Sequence, residues 1–170
     1  QAIVSVDAAV TSDNCGIVSV TNDYNGTSDA SDVYPVGTTT VTWTAVDVAG
    51  NTAQCVQTIT INDTENPTIT CPSDVTTDSD GGVCTAFVSV LSPATNDNCG
   101  VVSVVNNYNM SSDATDVYFI GTTTVVWTVT DIYGNTSQCS QTITVVDSEN
   151  PTISCPSDVN TTADLGSCDA

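Results

Sequence analysis

The chain has 170 residues, of which 20 are Asp or Glu and none is Lys, Arg or His, so its formal charge is −20. Binding to nucleic acid or to an anionic membrane needs basic side chains that face phosphates, and their lack excludes both as partners. The acidic surface itself has three interpretations that the sequence leaves open. It keeps a long chain soluble, it offers nothing to trypsin-like proteases, or it binds cations.

All eight cysteines follow an 84-residue repeat. A distance of 84 residues separates Cys15 from Cys99, Cys55 from Cys139, Cys71 from Cys155 and Cys84 from Cys168, and the same shift places Trp43 on Trp127. A period of this length suits a small domain rather than a solenoid unit. We predict the end of one repeat at residues 1–62, a complete repeat at 63–146 and the start of another at 147–170, as an excerpt of a longer array.

The cysteines are predicted to form disulfides in an oxidising compartment, because no Cys-x-x-Cys pair and no His is present to build a zinc site. Four cysteines per repeat allow three connectivities. We favour Cys71 with Cys84, which would bracket a short hairpin, and Cys99 with Cys139, which would join two distant strands. The same pattern pairs Cys15 with Cys55 and Cys155 with Cys168.

In chain order, turn signals alternate with short strand signals along the complete repeat. Clusters of Asp, Asn, Ser and Gly at 78–82, 96–100, 107–116 and 131–135 are typical of tight turns. Just before the cluster at 131–135, the stretch "TVVWTVT" places Val125, Trp127 and Val129 on one face of a strand. After that cluster, "QTITVV" at 141–146 alternates in the same way. The patterns predict an all-β fold of tandem immunoglobulin-like β-sandwich repeats with a period of 84 residues. Each tryptophan is then a core residue rather than a sugar-stacking platform.

Catalysis is not predicted, and the protein is interpreted as a non-enzyme. With no His or Lys, a hydrolase would depend on paired carboxylates, but the acidic residues lie in repeated turns and do not converge from distinct elements. No Gly-x-Ser-x-Gly or phosphate-binding loop is present.

The stretch "NDTENPTITCPSDV" at 62–75 is followed by "GGVC", "PATNDNCG", "YFIGTTTVVWTVTD" and "IYGNTSQC". Together these motifs resemble the HYR domain, or hyalin repeat, and in permuted phase the resemblance covers the whole chain. It implies an immunoglobulin-like extracellular module of adhesion proteins. Tandem cysteine-bearing copies of this composition also resemble the stalk repeats of giant bacterial surface adhesins of the Bacteroidetes type.

The linker between the repeats is a candidate calcium site. It carries Asp63, Glu65 and Asn66 close together, and the turns expected at the same end of the sandwich carry Asp97 and Asp131. Hard cations such as Ca²⁺ take several oxygen ligands from such side chains, so these five residues are the predicted metal ligands. The alternative that Asp and Asn only form turns stays open, since no loop has EF-hand spacing.

The sequence predicts an extracellular or cell-surface filament or stalk segment that provides length and stiffness for adhesion. Its expected partners are neighbouring repeats of the same fibre and other cells or surfaces. Asn25 and its equivalent Asn109 are candidate glycosylation sites in Asn-x-Ser/Thr triplets. Two alternatives are a glycan- or protein-binding module that uses the turn at 107–116 and an accessory domain of a secreted enzyme. The fibre is either one covalent chain or a series of chains joined by donated strands.

Overall fold

A computed structural model describes residues 1–163 and 165–166. Every regular element within these residues is a β-strand, which confirms the all-β prediction. The chain divides into two compact units, residues 1–70, 94–105 and 128–139 in the first and residues 71–93, 106–127 and 140–170 in the second. No helix long and apolar enough to cross a membrane occurs in the part that the structure describes.

The first repeat is built around a three-stranded antiparallel sheet in the order β2–β4–β5, with β1 paired to β3. The long strands β4 and β5 pair in register from Gly37 opposite Ile61 to Val46 opposite Thr52. The strands are β1 (Ala2–Val4), β2 (Ile17–Asn22), β3 (Asp32–Tyr34), β4 (Gly37–Asp47) and β5 (Thr52–Ile61).

The second repeat has a four-stranded sheet in the order β10–β12–β13–β7, and two further pairs, β8 with β11 and β6 with β9. Strand β7 runs parallel to β13, with Val75 opposite Ile143. The strands are β6 (Thr68–Thr70), β7 (Val75–Asp78), β8 (Thr85–Val88), β9 (Ala94–Asn96), β10 (Val101–Asn106), β11 (Asp116–Phe119), β12 (Gly121–Asp131) and β13 (Thr136–Val146).

The core contains the face that the alternation predicted. Val125, Trp127 and Val129 of β12 are all completely buried. The indole N–H of Trp127 donates to Oε1 of the buried Gln141 at 3.4 Å, so the polar edge of the ring has a partner inside the core. Trp43 is equally a core residue, with 3% of its surface exposed. Both tryptophans therefore fill the sandwich and present no platform for a sugar.

A buried tyrosine fixes the chain before the long central strand of each repeat. The Tyr118 hydroxyl donates to the main-chain carbonyl of Ala114 at 2.6 Å, and its ring stacks on Tyr108 with centroids 4.3 Å apart. Tyr34 and Tyr24 repeat the stack in the first repeat, at 4.4 Å. Burial of the large ring and satisfaction of its hydroxyl are thus combined at one position.

The predicted disulfide pairs are wrong. Cys71 and Cys139 are disulfide-bonded, whereas Cys84 and Cys99, their expected partners, are free thiols. The segment after Cys71 does not form the expected hairpin, because it runs beside β13 at an offset of 68 residues, with Gln141 Nε2 donating to the carbonyl of Ser73. The same offset relates Cys71 to Cys139.

The remaining cysteines also depart from the expected pairing. Cys15 and Cys55 are free thiols and do not form the predicted bond. Cys155 is free as well, and its predicted partner Cys168 lies outside the described residues. In the 84-residue repeat, Cys55 and Cys155 are the equivalents of Cys139 and Cys71, the two bonded residues.

Candidate cation site at the joint between the repeats

Three loops of the first compact unit meet where the first repeat leads into the second. The linker follows β5, a second loop joins β9 to β10, and a turn joins β12 to β13. The first two loops bring together Asp63, Asp97 and Cys99, which each offer one ligand atom within 4.8 Å of the others. The structure therefore places two of the predicted ligands in one group.

Asp97 uses only one of its carboxylate oxygens to shape its loop. Its Oδ2 accepts the main-chain N–H groups of Cys99 and Gly100, both at 2.7 Å. The turn closes because Gly100 adopts a φ of 111°, which L side chains rarely tolerate. Oδ1 of Asp97 is buried and accepts no hydrogen bond of standard geometry.

In Asp63, as in Asp97, only one of the two carboxylate oxygens accepts a hydrogen bond from the main chain. Oδ1 accepts the N–H of Glu65 at 3.1 Å, and Oδ2 is buried without a hydrogen-bond partner of standard geometry. Buried polar atoms nearly always have a partner, and a buried unpaired carboxylate is costly. The two unsatisfied oxygens, on Asp63 and Asp97, are the donor type that divalent cations take from proteins.

Cys99 is a member of the group that sequence reasoning assigned to a disulfide. A hydrogen bond to Asp63, then burial and the charges of Asp63 and Asp97, raise the pKa of the Cys99 thiol. A protonated thiol suits a carboxylate neighbour but is no ligand for a hard cation, whereas a soft cation such as Zn²⁺ binds the thiolate. The position two residues after Asp97, within the same turn, is the sequence signal that could have placed it here.

Asp131 lies at the same end of the repeat but outside this group. It is 1% exposed, its Oδ1 accepts the N–H groups of Tyr133 and Asn135 at 2.8 Å, and its Oδ2 accepts Asn135 Nδ2 at 2.7 Å. Burial alone raises the pKa of Asp131, but these hydrogen bonds, those of Asn135 first, outweigh it and hold the pKa below 3.8. Both carboxylate oxygens of Asp131 accept hydrogen bonds within the turn between β12 and β13, so this predicted ligand holds its own turn and is not part of the group of Asp63, Asp97 and Cys99.

The last two predicted ligands lie at the margin of the joint. Glu65 is exposed, and its Oε2 accepts Asn98 Nδ2 at 2.6 Å. Asn66 is exposed and lies outside the group. A cavity of about 400 Å³ is lined by Asp63, Glu65, Asn98 and Cys99, which gives an ion a route to the carboxylates.

The turn geometry of the joint is a property of each repeat. Asp13, the equivalent of Asp97, accepts the N–H groups of Cys15 and Gly16 at 2.8 and 3.0 Å, but its side chain is exposed. Asp147 accepts the N–H of Glu149 at 3.0 Å, as Asp63 accepts that of Glu65. The sequence thus encodes the same turns at equivalent positions of the repeats.

The side chains of the candidate glycosylation residues, Asn25 and Asn109, make hydrogen bonds that hold the long turn of each repeat. Asn109 Oδ1 accepts Asn106 Nδ2 at 2.8 Å, and Asn109 Nδ2 donates to the carbonyl of Asp113 at 2.9 Å. Asn25 makes the corresponding contacts in the first repeat. The turn at 107–116 is held by its own side chains.

The fold and the joint define a module of a tandem β-sandwich repeat protein. The HYR domain family matches residues 1–61 and 62–145, and the chain belongs to this family. Hyalin of Strongylocentrotus purpuratus is 37% identical over 147 residues, which are 82% of this chain and 12% of that protein. Hyalin of Lytechinus variegatus is 35% identical over 151 residues, 85% of this chain and 28% of that protein. The chain thus spans a minor part of the length of these relatives.

Among solved structures, fibronectin(III)-like modules of Clostridium thermocellum CbhA match 87% of this chain and 89% of theirs, with 15% identity and a TM-score of 0.41. Cadherin domains 1–4 of protocadherin gamma B7 match 84% of this chain and 42% of theirs, with 14% identity and a TM-score of 0.34.

Proposed function

We propose that the chain is a segment of an extracellular structural and adhesive filament or stalk, in which tandem HYR modules supply length and a calcium ion stiffens the joint between them. Membership of the HYR family, two consecutive repeats and a disulfide, which is typical of oxidising compartments, support this role. The module contributes no catalysis. Its proposed partners are neighbouring repeats and the surfaces to which the fibre adheres.

The observation that carries the joint's role is the pair of buried carboxylate oxygens, Asp63 Oδ2 and Asp97 Oδ1, that have no hydrogen-bond partner of standard geometry. The chain has no Lys, Arg or His side chain that could neutralise them. Two carboxylates at this separation repel each other, and a divalent cation converts the repulsion into attraction. An ion held by Asp63, in the linker after β5, and by Asp97, in the loop between β9 and β10, fixes the linker to the end of the second repeat.

Calcium fits this donor set better than a soft cation does. The buried atoms without a standard hydrogen bond are carboxylate oxygens, the Glu65 side chain lines the same cavity, and the pKa of the Cys99 thiol is raised. Ca²⁺ accepts six to eight oxygen ligands in flexible geometry. Water molecules that enter through the cavity lined by Asp63 and Glu65 would supply the remaining ligands. Zn²⁺ would instead need the thiolate of Cys99.

Thermal unfolding of the 170-residue chain with 2 mM CaCl₂ and with a chelator tests the proposal. A ligand that binds only the native state at about 100 times its Kd stabilises it by about 2.7 kcal/mol, so we expect the midpoint to rise by on the order of 5 °C. Asp63→Asn and Asp97→Asn should each abolish this rise. A midpoint that is the same with calcium and chelator contradicts the joint site.

Asp13→Asn is the matched control, because Asp13 accepts the same two hydrogen bonds as Asp97 but lies exposed in the first repeat. It should retain the full response to calcium. Cys99→Ser identifies the metal class: the calcium response should persist, and a response to Zn²⁺ that disappears in this variant would assign the site to a soft cation instead.

A further inference from the structure

Two free thiols of the second repeat, Cys84 and Cys99, lie at opposite ends of the central strand β12. The carbonyl of Cys84 accepts the N–H of Ile120, which directly precedes β12, at 3.1 Å. Cys99 precedes Gly100, and the carbonyl of Gly100 accepts the N–H of Ile132, which directly follows β12, at 3.1 Å. An extended strand of 11 residues, as in β12, spans about 36 Å. A disulfide needs Cα atoms within about 7 Å of each other, so the two cysteines do not pair within one repeat.

The loop before Cys84 holds the chain where it leaves the second repeat. The N–H of Ser79 donates to the carbonyl of Val146, the last residue of β13, at 2.8 Å. The N–H of Gly82 donates to Oε2 of Glu149, in the linker after β13, at 2.9 Å. Cys84 therefore lies at the end of the repeat that leads into the next joint.

The joint inside the chain, between β5 and β6, shows what faces this end of a repeat. Gln1 and Val36 of the first repeat line a cavity of about 510 Å³ together with Cys99 of the second repeat. In the 84-residue repeat, Gln1 corresponds to the residue that follows Cys84. Val36 corresponds to Ile120, whose N–H donates to the carbonyl of Cys84. The two neighbours of the Cys84 position thus lie against Cys99 across the joint.

We propose that, wherever one repeat of this array follows another, the cysteine at the Cys84 position of the first forms a disulfide with the cysteine at the Cys99 position of the next. This pairing deepens the proposed function and rests on it, because it requires consecutive repeats. Cys71 and Cys139 form the disulfide within the repeat. All four cysteines of a repeat then have a partner, two within the repeat and one at each of its joints.

The bond forms by thiol–disulfide exchange with an oxidised low-molecular-weight disulfide such as oxidised glutathione. The two thiols together lose two protons and two electrons, and the reagent takes them up as it is reduced to two thiols. Cys84 is exposed and Cys99 is partly exposed, so the reagent can reach both. As a disulfide, Cys99 offers no thiolate to a soft cation, and the joint keeps the oxygen donors that Ca²⁺ prefers.

The disulfide gives each joint a second covalent connection beside the peptide linker. Two connections restrict bending and twisting of a joint more than one linker does, which adds to the stiffness of the fibre. A linker that is cut by a protease also leaves the fibre connected through the disulfide.

The test uses a longer chain in which residues 63–146 occur twice in succession, so that one complete repeat follows another. The two glutamates of the sequence, Glu65 and Glu149, both lie in linkers, so a Glu-specific protease cuts only between repeats. The chain is oxidised with oxidised glutathione, its remaining thiols are alkylated, and the monomer is isolated, denatured and digested without reductant. We expect the two complete repeats to stay joined and to separate on reduction. Digestion with an Asp-specific protease and mass spectrometry should show peptide 80–96 linked to peptide 97–112.

Cys84→Ser in the first of the two copies should release the two repeats without reductant. The same substitution in the second copy is the matched control, since that thiol lies at the far end of the pair, and it should leave the repeats joined. Repeats that separate without reductant in the unaltered chain, or that stay joined in the first-copy variant, would overturn the proposal.

Failure of the disulfide and failure of the cation site give different results. Asp97→Asn in both copies should abolish the response of the unfolding midpoint to calcium but leave the two repeats joined. A calcium response without the cross-link overturns the disulfide alone. A cross-link without any calcium response in the unaltered chain contradicts the cation site alone.

Discussion

The side-chain amide of Asn135 donates to the main-chain carbonyl of Asp63 at 3.2 Å, although the two residues are 72 positions apart. The same amide nitrogen donates to Asp131 Oδ2 at 2.7 Å. One side chain therefore connects the turn between β12 and β13 to the linker. Asn51, its equivalent in the first repeat, donates to Asp47 Oδ2 at 2.7 Å and holds only its own turn.

Replacement of Asn135 should loosen the joint more than the equivalent replacement in the first repeat. Asn135→Ala removes the turn bond and the linker bond, whereas Asn51→Ala removes the turn bond alone. A hydrogen bond contributes about 0.5–1.5 kcal/mol, so Asn135→Ala should lower the free energy of unfolding by about 1 kcal/mol more. Urea unfolding measures this difference, and amide hydrogen exchange at Thr64 and Glu65 should rise only in Asn135→Ala. Equal effects in both variants would contradict the linker contact.

The fold was largely predictable because its signals are local. Alternation placed Val125, Trp127 and Val129 in the core, and the turn residues marked the strand ends. The parallel pairing of β7 with β13 was not predictable, since no turn joins the two strands and no residue pattern records an offset of 68 positions. The wrong choice of Cys84 as the partner of Cys71 has the same origin.

The joint was predictable only in part. Asp63 and Asp97 stood out as acidic residues in turns at one end of a sandwich, and the structure brings them together. The sequence could not show that both oxygens of Asp131 accept hydrogen bonds within its own turn, because these bonds from Tyr133 and Asn135 form only once the turn has folded. It also could not show that Cys99 remains a thiol beside Asp63, since this depends on which cysteine β7 brings to β13.

Tyr118 should make the second repeat sensitive to alkali. Burial first, and then the charges of Tyr108, Asp116 and Asp113, raise the pKa of Tyr118 from 10.0 to about 12. The folded state keeps the phenolic proton where the unfolded chain loses it. The contribution of Tyr118 to stability is therefore complete below pH 10 and is lost as the pH rises to about 12, at no more than about 1.4 kcal/mol per pH unit.

Denaturant unfolding between pH 9 and pH 12, with the free thiols alkylated, measures this dependence. Tyr118→Phe should be less stable at pH 8 by about 1–3 kcal/mol, because the carbonyl of Ala114 loses its donor inside the core. The variant should also lose part of the decline above pH 10. If the two proteins decline in parallel over this range, Tyr118 is not the group that titrates.

Asn109 should be needed for the long turn irrespective of any glycan. Its Oδ1 accepts Asn106 Nδ2 and the hydroxyl of Ser111, and its Nδ2 donates to the carbonyl of Asp113. Asn109→Ala should lower the free energy of unfolding by about 2 kcal/mol, since several hydrogen bonds are lost together. Asn160→Ala, at an exposed triplet of the same type, is the control and should leave urea unfolding unchanged. Equal effects of the two changes would show that Asn109 is not structural.

Met110 adopts a left-handed backbone conformation, and the equivalent position of the first repeat, which has the same conformation, is occupied by Gly26. Met110 has a φ of 60° and Gly26 a φ of 75°. A left-handed conformation costs an L residue roughly 1–2 kcal/mol, and the Met110 side chain is 78% exposed, so it contributes little packing in return. Met110→Gly should therefore raise the free energy of unfolding by up to about 1 kcal/mol, after the greater entropy of glycine in the unfolded chain is subtracted. Gly26→Met should lower the free energy of unfolding by a similar amount.

Ser112→Gly is the control, because Ser112 lies in the same turn at an ordinary φ. It should be slightly destabilising in the same urea titration. If Ser112→Gly instead stabilised the protein as much as Met110→Gly, strain at Met110 would not be the cause.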